Sequence, residues 1–137
     1  MTDYLVDNSV WARLATGDPA VTARLRRIER APADLFVTCP PQVLEFCHSA
    51  RTPEEHARYR EKIGLGFPLE RAPDESLVLD IQSALWGSGL VRSAGAVDIL
   101  IAGYAIVNDA TVLTADHDFD YIARVSELQY EYVPPSW

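Results

Sequence analysis

The sequence is short of lysine, cysteine and long apolar runs, and each shortage closes off a class of function. Only Cys39 and Cys47 could pair, and neither belongs to a Cys-x-x-Cys unit. Two such residues in apolar surroundings read as inert buried thiols rather than a disulfide framework. The Cys47-His48 pair finds no second ligand pair at zinc-binding spacing. No apolar run is long enough to cross a bilayer. Met1-Thr2-Asp3 lacks the basic region and apolar stretch of a signal peptide, so a cytoplasmic protein is expected. Lys62 is the one lysine; the other eleven of the twelve basic residues are arginine.

The formal net charge of −8 argues against a broad basic surface for a polynucleotide. The basic residues are nonetheless clustered. Arg24, Arg26, Arg27 and Arg30 form one group, and Arg58, Arg60 and Lys62 another. Arginine is suited to bidentate phosphate contact, although charge patterning alone reads these as solvated helix faces. The 137 residues, 48% hydrophobic and 23% charged, suit one soluble domain with a buried core, spanning 1–137.

No repeat or linker divides the chain. Strand-like runs at Tyr4–Val6, Leu35–Thr38, Thr111–Thr114 and Tyr130–Val133 alternate with helix-like segments, and Phe67 to Glu70 reads as a short edge strand. Asn8 or Ser9 is placed to cap the first helix, Gly17 ends it, and Asp18-Pro19 opens a second. Pro40-Pro41, Pro53 and Pro73-Asp74-Glu75 open three more. The helix over 97–107 is apolar nearly all round and should lie buried against the sheet. A short helix is expected from Phe119 to Arg124. Such alternation implies a three-layer α/β/α sandwich on a mainly parallel sheet. Trp11, Trp86 and Trp137 sit in apolar settings that favour core or interface anchors over base-stacking platforms.

Two of the strand runs lead into aspartates, Asp7 and Asp116, where an open α/β sheet has its binding crevice. Glu45 is the one acid of an apolar helix, and Asp98 is the one charge near the start of the buried helix. Grouped carboxylates repel one another unless a cation or a shared proton neutralises them. With no lysine or arginine close to any of the four in sequence, a hard divalent ion is the simplest partner. Mg²⁺ and Mn²⁺ take oxygen ligands, retain water and can activate it to attack a phosphodiester. Asp118, two residues past Asp116, is placed to hold a second ion or support the first. Each acid also has an ordinary structural reading. Asp7 caps a helix, Asp98 faces a helix dipole, Asp116 makes a turn, Asp118 caps the next helix, and Glu45 pairs with a distant arginine. Phosphoryl transfer to an aspartate also uses strand-end acids, but it needs a lysine that Lys62, in a surface-type helix, does not supply. Asp7-Asn8-Ser9 also lacks the second acid of an Asp-x-Asp opening. An acidic cleft that only docks a basic partner tail remains a non-enzymatic alternative.

The ordered set Leu5-Val6-Asp7-Asn8-Ser9, Glu45-Phe46, Val97-Asp98-Ile99-Leu100-Ile101-Ala102 and Leu113-Thr114-Ala115-Asp116-His117-Asp118-Phe119 resembles the PIN domain. More narrowly, it resembles the VapC toxins of bacterial toxin–antitoxin modules. The resemblance implies a Mg²⁺- or Mn²⁺-dependent endoribonuclease acting on structured RNA. It makes Asp7, Glu45, Asp98 and Asp116 the catalytic quartet, with Asp7, Asp98, Asp116 and Asp118 toward metal. Ser9 matches a supporting hydroxyl, with Thr114 a weaker match. It further implies a homodimer and a VapB-like antitoxin covering the site. The acidic overall charge departs from that pattern, leaving Arg92 and the arginine clusters, Arg24 and Arg27 among them, to contact RNA.

Overall fold

In a computed structural model that describes residues 1–136, five strands form one sheet. They are β1 (Asp3–Val6), β2 (Leu35–Thr38), β3 (Phe67–Pro68), β4 (Thr111–Thr114) and β5 (Gln129–Tyr132). Their spatial order is β3-β2-β1-β4-β5, and each neighbouring pair runs parallel. The helices are α1 (Asn8–Ala15), α2 (Pro19–Arg30), α3 (Pro40–His48), α4 (Pro53–Ile63), α5 (Glu75–Gly87), α6 (Ala96–Val107) and α7 (Asp118–Arg124). Trp137 lies outside the described residues, so its expected anchoring role does too.

Side chains alternate across a strand, and this alternation builds the three layers. Leu5 and Val112 point to one face, where Ile81 and Leu85 of α5, Ile101 and Ala105 of α6, and Phe119 and Ile122 of α7 cover them. Tyr4, Val6 and Leu113 point to the other, against Val10 of α1 and Val21, Leu25 and Ile28 of α2. The expected α/β/α sandwich is therefore present, with a wholly parallel set of strand pairs. Helix α6 is largely buried, as a sequence apolar nearly all round predicts, although Val97 in its first turn is exposed. A methyl group on its Gly103 would stand 2.9 Å from Val78 and 3.0 Å from Pro73, so glycine lets α5 and its leading segment close on α6.

Several boundaries differ from the sequence expectation, and local hydrogen bonding explains them. Asp7, rather than Asn8 or Ser9, caps α1: its backbone is extended and its carboxylate accepts the Ser9 N–H. Strand β4 stops at Thr114, before Asp116, because Ala115 to His117 turn the chain into α7, which opens at Asp118 rather than Phe119. Strand β3 holds only Phe67 and Pro68, since proline supplies no N–H to extend the ladder. Trp86 is 46% exposed and so is no core anchor, whereas half-buried Trp11 packs on Phe46 with ring centroids 5.9 Å apart. No helix among the described residues is long and apolar enough to cross a membrane.

Buried Gln42 ties the crevice together. Its side-chain amide donates to the Val6 carbonyl (2.7 Å), and its carbonyl accepts the Cys39 N–H (3.3 Å). This staples the first turn of α3 to the end of β1, one residue before Asp7, and Glu45 follows one helical turn later. Replacing Gln42 with leucine leaves both backbone groups buried without partners. Gln42→Leu is therefore expected to lower unfolding free energy by about 2 kcal/mol, measured by urea titration. An unchanged midpoint would show that the staple contributes nothing.

Candidate metal and active centre

The carboxyl edge of a parallel sheet is where strand-end residues converge, and here β1 and β4 are neighbours. The Asp7 N–H donates to the Leu113 carbonyl (2.8 Å), which extends the β1–β4 pairing by one residue and sets Asp7 beside Thr114. Helices α3 and α6 then bring Glu45 and Asp98 over that edge. One carboxylate oxygen from each of Asp7, Glu45 and Asp98 lies within 4.8 Å of the other two. An octahedral ion with oxygens at about 2.1 Å holds its ligand atoms about 3–4 Å apart, so small side-chain rotations close this trio on one Mg²⁺ or Mn²⁺. The oxygen-only donor set suits such an ion.

A hydroxyl network holds the buried corner. Ser9 Oγ donates to Asp7 Oδ2 (2.6 Å) and accepts the Ala115 N–H (2.9 Å). Thr114 Oγ1, fully buried, also lies within hydrogen-bonding reach of Asp7 Oδ2 (3.3 Å) and accepts the Asp116 N–H (3.2 Å). Both hydroxyl residues named from the sequence therefore bridge β1 to the turn after β4. Asp116 is turned toward α7, where its Oδ1 accepts the Asp118 N–H (2.7 Å). It stands outside the tight trio but close enough to act electrostatically on Asp7 and Glu45. Asp118 hydrogen-bonds directly to Asp98.

The electrostatics are those of crowded, partly desolvated carboxylates. Burial raises the Asp7 carboxyl above its ordinary range and the nearby Asp116 adds to this, while hydrogen bonds from Ser9 oppose it. Glu45 is raised by burial and by Asp7 and Asp116. Asp98 is pushed up to about 8, first by burial, then by Asp7 and by the hydrogen bond with Asp118. Asp118 is raised by burial and by Asp116, with its Asp98 bond working the other way. The ion pairs of the described residues, Arg13–Asp18, Arg24–Glu131, Arg58–Glu55 and His117–Asp120, leave the five acids to one another.

The arginines divide. Arg24 is spoken for, since it holds Glu131 (2.5 and 3.0 Å) and the Tyr4 hydroxyl (2.8 Å) across the α2 face of the sheet. It is a structural clamp between α2, β1 and β5 rather than a free phosphate contact, because its Nε and Nη2 donors already have partners. Arg27 is exposed on α2. Arg92 is exposed in the segment between α5 and α6, in a left-handed conformation (φ 60°), three residues before the Gly95 that caps the Asp98 helix. Two residues of the site's surroundings went unrecognised in the sequence. Gln42 carried a weak signal, as a lone amide three residues ahead of Glu45 on the same helix face. His117 carried none, since an exposed ring between two acids looks like turn filler. An apolar hollow of about 460 Å³ lies apart from the acids, lined by Val6, Trp11, Leu14, Leu25, Phe36 and Ile63.

The chain resembles known proteins in sequence and in fold. The PIN domain family model matches residues 4–125. VapC ribonuclease Mb1587 of Mycobacterium bovis is 31% identical over 132 residues, covering 91% of this chain and 95% of that protein. Ribonuclease VapC21 of Mycobacterium tuberculosis is 33% identical over 135 residues, covering 96% and 94%. In three dimensions, VapBC-1 from nontypeable Haemophilus influenzae superposes with a TM-score of 0.71 at 20% identity, over 96% of this chain and 98% of the other. DNA-bound VapBC from Salmonella typhimurium gives 0.70 at 16% identity, over 96% and 98%.

The raised carboxyls set the sign of the pH response without metal. A group whose folded pKa exceeds its unfolded value stabilises the fold fully below the unfolded pKa and loses that contribution as pH rises toward the folded one. For Asp98 that window runs from about 4 to about 8. In chelator, the melting temperature should therefore fall as pH rises through this range. Asp98→Asn should flatten the decline and melt a few degrees above the parent at pH 8. Parallel parent and variant curves by scanning calorimetry would contradict this account of the cluster.

Proposed function

Because the chain belongs to the PIN-domain family and to its VapC branch, we propose that it is the toxin of a toxin–antitoxin module, an endoribonuclease dependent on Mg²⁺ or Mn²⁺. The observation carrying this reading is the convergence of Asp7, Glu45 and Asp98 within metal-binding distance of one another. Asp7, Glu45 and Asp98 would hold the ion, with Asp116 and Asp118 beside it. When bound, the ion supplies Lewis-acid polarisation of a phosphodiester and lowers the pKa of the attacking water.

The remaining steps belong to the protein's own groups. A carboxylate of the cluster takes one proton from water as its oxygen bonds to phosphorus. The bond from phosphorus to the 3′ oxygen then breaks, and that oxygen takes a proton from solvent water, while the carboxylate later returns its own to solvent. The products are a 5′-phosphate and a 3′-hydroxyl. Ser9 and Thr114 act as positioning residues that keep the Asp7 carboxylate turned into the crevice. Exposed Arg92 and Arg27 contact phosphates of a structured RNA, and Arg92 is better placed, near the Asp98 end of α6.

Two partner surfaces accompany this reading. The acidic crevice suits the basic tail of a VapB-like antitoxin, and the hollow beside Trp11 has room for an apolar side chain of the same partner. A homodimer completes the assembly.

Asp7→Asn and Asp98→Asn should each lower RNA cleavage at least 100-fold with the fold retained by circular dichroism, since each removes a ligand charge. Chelation should abolish the parent's cleavage, and added Mn²⁺ should restore it. Ser9→Ala should fall about tenfold, as expected for lost outer support of a ligand. Titration calorimetry adds an independent check, with Mn²⁺ heat expected from the parent and lost in Asp98→Asn. A parent that binds no Mn²⁺ would leave the cleft as a docking surface alone.

A further inference from the structure

RNA must approach a crevice crowded with carboxylates on a protein of net charge −8. Phosphate attraction alone is a poor means of holding it there, so contacts that do not depend on charge carry more of the affinity. The crevice rim has one exposed aromatic feature of the right form. His117 stands between Asp116 and Asp118, its side chain 62% exposed, and its ring packs on Tyr132 with centroids 4.5 Å apart and planes tilted by 35°. Tyr132 closes β5 opposite Thr114 of β4, so it sits at the same carboxyl edge as Asp7 and Asp116.

The orientation of this pair is set from behind. His117 Nδ1 bonds to Asp120 Oδ2 (2.8 Å), one turn along α7. Tyr130, two residues before Tyr132 on the same face of β5, lies near enough to Asp120 for the two to act on each other electrostatically. The imidazole is therefore anchored at Nδ1, and its exposed side is turned to solvent beside the acids. Glu131, between the two tyrosines, points the other way to Arg24, which fixes which face of β5 the tyrosines occupy. An anchored ring adjoining a reaction centre loses little freedom when a flat partner lies on it.

We propose that His117 and Tyr132 form a nucleobase platform, on which an unpaired base of the RNA stacks and seats the neighbouring phosphodiester over the acids. This rests on the ribonuclease reading above. Stacking is tolerant of sequence and needs no positive charge, which suits this rim. It also calls for a base out of its helix, as in a loop or bulge. Asp120 is the positioning residue for the platform.

The test uses two fluorescein-labelled RNA pools of twelve nucleotides with phosphorothioate linkages, one of random sequence and one abasic throughout, titrated with the full chain in Mn²⁺ and read by anisotropy. The parent should prefer the base-bearing pool by about 5- to 100-fold, the range expected for one stacked base. His117→Ala and Tyr132→Ala should each lose that preference while binding abasic RNA as the parent does, and His117→Phe should restore most of it. Equal weakening toward both pools, an undiminished preference in His117→Ala, or no preference in the parent would each overturn the platform. Cleavage of ordinary RNA by the parent is scored separately. A base preference through His117 without cleavage keeps the platform and removes the ribonuclease reading. Cleavage without a base preference does the reverse.

Discussion

Mutual repulsion among five carboxylates is the constraint around which the rest of this structure is arranged. Asp7, Glu45, Asp98, Asp116 and Asp118 come from four different segments, and each would be better solvated alone. They are held together because the elements carrying them are stabilised elsewhere. Two apolar layers clamp the sheet, Gln42 pins α3 to β1, and the glycine at 103 lets α6 sit close to α5. The core thus opposes an electrostatic strain at its edge, an arrangement common where charge is gathered for chemistry. Burial and repulsion raise the carboxyls of Asp7, Glu45, Asp98 and Asp118, so without a cation the cluster is eased by holding protons.

The fold was legible because its strands and helices are written in separate periods. Short runs such as Leu35-Phe36-Val37-Thr38, and an α6 apolar nearly all round, admit little else once packed into the layers. What could not be read were the ends of elements. Whether Asp7 or Ser9 caps α1 depends on which side chain the β1–β4 ladder turns inward, and that is decided by the Asp7 to Leu113 hydrogen bond. The start of α7 depends in the same way on Asp116 accepting the Asp118 N–H.

The acids of the site were legible as unpaired charges in apolar segments, and the structure brings all five into one electrostatic group. Their grouping within it was not. Glu45 rather than Asp116 joins Asp7 and Asp98 in the tightest trio, because α3 leans over β1 while Asp116 is drawn toward α7. Arg24 illustrates the opposite difficulty. A clustered arginine looks free in a sequence, and only the pairing of β5 beside β4 discloses that Glu131 and Tyr4 already occupy it.

The strand order has a consequence for how the site comes into being. Strand β1 sits at the centre, yet its neighbour β4 arrives 107 positions later along the chain, as the Thr114–Asp7 contact records. Contacts so distant in sequence form late, since a large loop must close before they return any energy. During synthesis Asp7 and Glu45 emerge long before Asp98, Asp116 and Asp118, and β5 later still. The acidic centre is therefore incomplete until β4 and the turn after it have been made, whatever has folded before them.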